Sequence, residues 1–130
     1  MIQNQAARVI SRKKRSDHIT QTLKDLHWLP IKFRADYKFL LFAYKSQHSV
    51  APVYLSDLLS AYIPPRSLRS EQQLRLEQPR TKSSRYGERA FSVAAPRLWN
   101  GLPVDVKEAD TLESFKMRLK THLFKIAYNV

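Results

Sequence analysis

The sequence predicts a mainly α-helical domain: about five to six helices around a central aromatic-rich helix, with a basic loop and one small β-hairpin. Apolar residues recur every three or four positions over most of the chain, the spacing of one buried helix face. Only two glycines occur in 130 residues, few for a loop-rich β fold. A hydrophobic share of 43% and an aromatic share of 11% exclude wholesale disorder. A chain of this length buries roughly two-thirds of the surface its unfolded form exposes, so a core is within reach.

Over residues 1–13, Ile2, Ala6, Val9 and Ile10 share one helical face while Arg8 and Arg12 lie on another, predicting a short amphipathic helix. Arg12, Lys13, Lys14 and Arg15 end it as four consecutive cations. Such a run reads as a nucleic-acid patch or nuclear-import signal, and equally as a solvated helix end whose charge suits the helix dipole. Ser16 is the expected cap of a second helix carrying Ile19, Leu23 and Leu26 inward, and Pro30 ends it near Trp28 or Leu29. His18 and His27 have no nearby acidic ligand set and read as surface or half-buried polar groups.

Residues 31–48 form the strongest helical segment. Phe33, Tyr37, Leu40, Leu41 and Tyr44 make its stripe, and Phe39 and Phe42 widen it beyond the apolar arc of a surface helix, so this helix is central and largely enclosed. Aromatic residues at such spacing read as core in preference to a base-stacking platform. Pro52 suits the first turn of a short helix whose Leu55, Leu58 and Leu59 pack back on the central one, and Pro64 and Pro65 close it.

From residue 64 to 84 the helical period is lost and charge accumulates, which predicts a basic mobile loop. Leu74 and Leu76 alternate with Arg75 and Glu77, and Phe91 and Val93 flank Ser92, so a two-stranded hairpin turning near residues 84–87 is expected. Pro96 opens a short helix with Leu98 and Trp99 inward and Gly101 at a left-handed end. Asp110 and Glu113 are spaced for a capping box on the last helix, which carries Leu112, Phe115, Leu119, Leu123 and Ile126 on one face. The organisation is one domain in three parts: helical residues 1–63, the basic loop 64–84, and a C-terminal anchor with the last helix over 85–130.

Lys and Arg total 23 against 11 acidic residues, a formal charge of +12. The excess is clustered: residues 1–34 carry eight cations and two anions, residues 64–103 eight and three, and the remainder is nearly balanced. Uniform solubilising charge predicts no clustering. Two basic blocks flanking a helical pair favour contact with a polyanion, nucleic acid first. Arg12, Lys13, Lys14, Arg15, Arg80, Lys82, Arg85 and Arg89 are the candidate phosphate anchors, because guanidinium pairs bidentately with phosphate oxygens and ammonium supplies a point charge.

The chemistry-bearing patterns are missing. Cysteine is absent, which excludes thiolate nucleophiles, thiolate metal sites and disulfides. Glycines at 87 and 101 alone build no phosphate-cradling loop, no serine sits in a nucleophile elbow, and the acidic residues form no adjacent pair of the two-metal kind. No catalytic residue, metal or cofactor is assigned. No apolar run approaches the ~20 residues of a membrane span, and the first residues lack a signal-peptide apolar block, so a soluble intracellular protein, nuclear or cytoplasmic, is expected.

Four strings, DLHWLPIKFRADYKFLLFAYKSQH, APVYLSDLL, RYGERAFSVAAPRLWNGLP and SFKMRLKTHLF, occur in an order that resembles the C-terminal thumb and post-thumb region of the reverse transcriptase of LINE-type (non-LTR) retrotransposons of the jockey-like kind. The resemblance spans essentially the whole chain. In that family, an RNA-directed DNA polymerase, the palm and its magnesium-binding aspartates lie upstream. IQNQAARVI looks like the helix in or just after the thumb. The palm's aromatic-x-Asp-Asp signature has no counterpart here, since Asp36 is followed by Tyr37. The resemblance therefore implies a fragment of a reverse transcriptase without its active site, and the basic blocks are then expected to hold RNA or an RNA–DNA duplex by contact with the nucleic-acid backbone. The alternatives are a docking module for the polymerase body, in which the last helix and the Trp99 region pack on it, or a relic of the element without present function.

Overall fold

The computed structural model describes residues 2–66, 74–82 and 87–130. Seven α-helices follow one another: α1 (Ile2–Ser11), α2 (Thr20–Asp25), α3 (Ile31–Gln47), α4 (Val53–Ser56), α5 (Phe91–Asn100), α6 (Val104–Lys107) and α7 (Leu112–Tyr128), with a 3-10 turn at Gly87–Arg89. The class is mainly α, as the periodicity predicts. The single turn α6 exceeds the expected helix count; Pro103 starts it from an extended conformation, as proline does before a first helical turn.

The core lies where α3, α5 and α7 meet. Leu40, Ala43 and Tyr44 of α3 are enclosed with Ala95 and Trp99 of α5 and Phe115, Leu119 and Leu123 of α7. Their rings interlock: Tyr44 stacks on Phe115 with centroids 4.2 Å apart, and Trp99 tilts against Phe115 at 5.9 Å. Full burial of side chains of this size stabilises the fold by ~1.5–3 kcal/mol each. The Tyr44 hydroxyl, drawn into this core, donates to the Ala109 carbonyl at 2.8 Å. The central helix is thus aromatic-rich and its aromatic stripe is core, but it is not largely enclosed: Leu40, Leu41, Ala43 and Tyr44 are its buried residues, and Phe42 is 37% exposed.

Several local expectations are corrected. Ser16 does not cap α2, which begins after Ile19 with no side-chain cap; Asp17 instead accepts from the Lys14 N–H at 2.8 Å, closing a turn between α1 and α2. Pro96 does not open α5 but is its sixth residue. The helix runs through it because Ala94, Ala95, Pro96 and Trp99 are buried together, and that packing offsets the bond to the Ser92 carbonyl that proline cannot donate. Phe91 is fixed as the first residue of α5 by stacking on Phe39 of α3 at 6.0 Å. A helix at residues 91–93 leaves no strand there, so the expected hairpin does not form. Leu76 pairs with Ala61 instead, in an isolated antiparallel bridge; the expected turn at 84–87 lies outside the described residues except for Gly87. Gly101 is right-handed, with φ −79°. The cap of α7 is Thr111, whose Oγ1 accepts from the Ser114 N–H, while Glu113 pairs with Lys116 at 2.7 Å and not with the chain behind it. Ile126, expected inward on α7, is 50% exposed.

Candidate functional site

Four helices end on a residue in left-handed conformation, and none of these residues is glycine. Arg12 (φ 52°), His27 (φ 54°), Ser49 (φ 57°) and Asn129 (φ 50°) follow α1, α2, α3 and α7. At the end of α1 the Arg12 N–H donates to the Val9 carbonyl at 3.3 Å and the Lys13 N–H to the Arg8 carbonyl at 3.0 Å. That pair of bonds is the Schellman motif, in which glycine usually occupies the left-handed position. An arginine there costs ~1–2 kcal/mol of backbone strain. The basic run Arg12, Lys13, Lys14, Arg15 is therefore not a helix continuation; it is a defined turn, with all four residues exposed.

The entry to the second basic block is ordered by an extended segment, Arg75 to Glu77, that follows Leu74 in left-handed conformation (φ 45°). The Tyr62 N–H donates to the Arg75 carbonyl at 3.0 Å and the Glu77 N–H to the Ser60 carbonyl at 2.8 Å on one side. On the other, Asn100 of α5 holds both backbone groups of Leu76, and Trp99 Nε1 donates to the Leu74 carbonyl at 2.7 Å. This part of the expected mobile loop is tied down at both edges. Beyond it, Arg80 and Lys82 are exposed. A Cβ on Gly87 would stand 3.2 Å from Thr81 Cβ, so the chain at 80–82 runs directly against the 3-10 turn bearing Arg89, and glycine permits that approach. The segment bearing Arg80 and Lys82 and the turn bearing Arg89 thus approach each other at Thr81 and Gly87; Arg85 lies outside the described residues. Among the described residues, no hydrogen bond or ion pair engages the side chain of Arg12, Lys13, Lys14, Arg15, Arg80, Lys82 or Arg89, although the Asp17 carboxylate sits on the Lys14 N–H within the first block's turn; none links the first block to the second.

Beneath the extended segment lies Lys107. Only 4% exposed, its Nζ donates to the Asn100 carbonyl at 3.5 Å. Burial, and then the Arg75 guanidinium, hold its ammonium below the ordinary lysine range.

A feature the sequence did not single out is an open cleft of about 760 Å³ between the α1–α2 end of the molecule, α3 and α7. Trp28 and Tyr37 line it with the buried Leu29 and the exposed Ile31, and Arg34, Lys38 and Lys120 are its cations. Its wall is braced by two long-range bonds: Gln3 Nε2, buried, donates to the Leu29 carbonyl at 2.8 Å, and the Tyr128 hydroxyl donates to the Trp28 carbonyl. His27, expected to be a surface or half-buried group, is exposed at the rim, its ring stacked 5.5 Å from Phe124. The spacing of Arg34 and Lys38, one helical turn apart, was the one local signal for this site. Lys120 is 82 positions further along the chain from Lys38, and only the packing of α7 brings it there.

Among the described residues no group of three or more His, Asp or Glu is placed to hold a metal ion, and no helix is long and apolar enough to cross a membrane. No protein-family model, curated protein or solved structure matches the chain.

Proposed function

We propose that the chain is the C-terminal region of a jockey-like non-LTR reverse transcriptase and that it holds RNA or an RNA–DNA duplex by the phosphate backbone, without catalysis of its own. Arg12, Lys13, Lys14, Arg15, Arg80, Lys82, Arg85 and Arg89 serve as the phosphate anchors. The observation that supports this reading is the state of the cations that are described: seven exposed side chains, four on the turn that closes α1 and three on the segments that meet at Thr81 and Gly87, with no ion pair among the described residues engaging any of them. Anchors without base-edge contacts hold duplexes of different sequence about equally. Fluorescence anisotropy with labelled RNA and RNA–DNA duplexes at low salt tests this: binding that is indifferent to sequence is expected, and no binding to either duplex overturns it.

A second reading, docking on a polymerase body, draws support from α1. Its apolar residues Ile2, Val9 and Ile10 are 85%, 78% and 58% exposed, while Gln3 and Ala7 face inward. Trp99 has no part in such docking, being enclosed within this chain. The reading predicts that a hydrophobic dye binds the chain and that the I2S/V9S/I10S variant loses that binding; equal dye binding by both would count against it.

A further inference from the structure

The geometry points to the cleft between α3 and α7 as a site for a nucleoside phosphate, with the base against Trp28 and Tyr37 and the phosphate on Arg34, Lys38 and Lys120. The cleft, about 760 Å³ and open to solvent, has the size of sites that take small ligands such as a mononucleotide. Its lining divides by chemistry as such a ligand does. Trp28 and Tyr37 are half-buried aromatic faces beside the buried Leu29, suited to a planar base. Arg34 and Lys38, both exposed and one turn apart on α3, meet Lys120 from α7 at the same cleft, and no Asp or Glu lines it. Three like charges at one hollow repel each other, and an anion between them removes that repulsion.

Two features of the backbone belong to the same site. His27, at the rim, is held at φ 54° by the bonds from His27 N–H to the Lys24 carbonyl and from Trp28 N–H to the Leu23 carbonyl. That turn is a helix ending of the same kind as at Arg12, and it sets the direction in which the chain leaves α2 toward Trp28. The first turn of α3, which carries Ile31 and Arg34 to the cleft, has no side-chain cap, as is true also of α2, α4, α5 and α6.

The nucleoside phosphate has two sources, a free nucleotide or one unit of a strand; in admitting the strand, the inference rests on the nucleic-acid reading above. Trp28 emission in the full chain tests it, with Trp99, 1% exposed, as a steady background and W28F as the control. A nucleoside monophosphate is expected to quench Trp28 saturably, and R34Q/K38Q to weaken it at least ~10-fold, the scale of losing charge-assisted contacts. R12Q/K13Q/K14Q/R15Q is expected to leave that affinity unchanged. Saturation by the mononucleotide assigns the site to free nucleotide. Quenching by a short single-stranded oligonucleotide alone, lost in R34Q/K38Q, assigns it to a base within a strand. Inorganic phosphate binding as tightly as the nucleotide, quenching by anionic lipid vesicles in place of nucleotide, or an unmoved Trp28 overturns the inference. If duplex binding persists while Trp28 stays unmoved, this inference falls and the proposed function stands; nucleotide binding without duplex binding is the reverse.

Discussion

The Asn100 side chain takes both backbone groups of Leu76, its Oδ1 accepting from the Leu76 N–H at 2.9 Å and its Nδ2 donating to the Leu76 carbonyl at 2.8 Å. A side-chain amide thus stands in for a neighbouring strand, and a helix replaces the β partner that the alternation at Leu74 and Leu76 seemed to require. With Trp99 bonded to Leu74, two consecutive residues of α5 fix the entry to the second basic block.

Asn100→Ala is therefore expected to destabilise the fold by about 2 kcal/mol, since it leaves two half-buried backbone groups without partners. The urea midpoint measures the loss. Amide exchange over residues 74–77 should accelerate more than exchange in α7, and a uniform acceleration would place the damage in the core instead.

The reassigned cap of α7 separates two neighbouring residues. Thr111→Ala is expected to cost ~1 kcal/mol through the lost bond to the Ser114 N–H, and Asp110→Ala to cost a few tenths. Thermal or urea unfolding of the two variants checks the order, and a larger loss for Asp110→Ala would restore the capping box that the sequence suggests.

Arg12 sets stability against charge. Glycine at its left-handed position carries no Cβ penalty, so Arg12→Gly is expected to stabilise the fold by ~1 kcal/mol. The same variant removes one candidate phosphate contact. A stabilised protein whose nucleic-acid affinity is unchanged would show that Arg12 touches no phosphate.

His122 on α7 gives the pH dependence. Burial holds its imidazole below the usual 6.5, with Asp105 opposing and Lys125 adding to the shift. The unfolded chain then takes up the proton first as pH falls, so stability declines from the ordinary histidine value downward until the native imidazole is itself protonated. His122→Gln should flatten that decline, read as urea midpoints at about pH 7.5 and about pH 5.5. An identical decline in both proteins would assign the pH dependence to other groups.

The sequence carried the parts of the fold that repeat locally. Leu40, Leu41 and Tyr44 of α3, with Phe115, Leu119 and Leu123 of α7, lie inside as their spacing dictates, because period alone decides which face of a long helix is apolar. It misled where the deciding contact is distant. Pro96 reads as a helix start, yet Phe91 begins α5 because Phe39, 52 positions earlier, supplies a ring to stack on. Leu76 reads as a hairpin strand, yet its partners are Ala61 and Asn100. The left-handed turns at Arg12, His27 and Ser49 are invisible in residue type, since the usual glycine marker is missing. For the candidate site the same division holds: the basic runs are plain in the sequence, whereas the approach of Thr81 to Gly87, and of Lys120 to Arg34 and Lys38, exists only in the folded chain.

The central claim is that the two cation clusters hold phosphates, and the salt dependence of binding reads it most directly. The logarithm of the affinity for an RNA duplex is expected to fall linearly with the logarithm of salt concentration, each phosphate contact adding about 0.7–0.9 to the slope. R12Q/K13Q/K14Q/R15Q and R80Q/K82Q/R89Q should each reduce that slope by the contacts they remove while circular dichroism stays unchanged. A slope that is flat in the unaltered chain, or one that neither variant alters, would contradict the account.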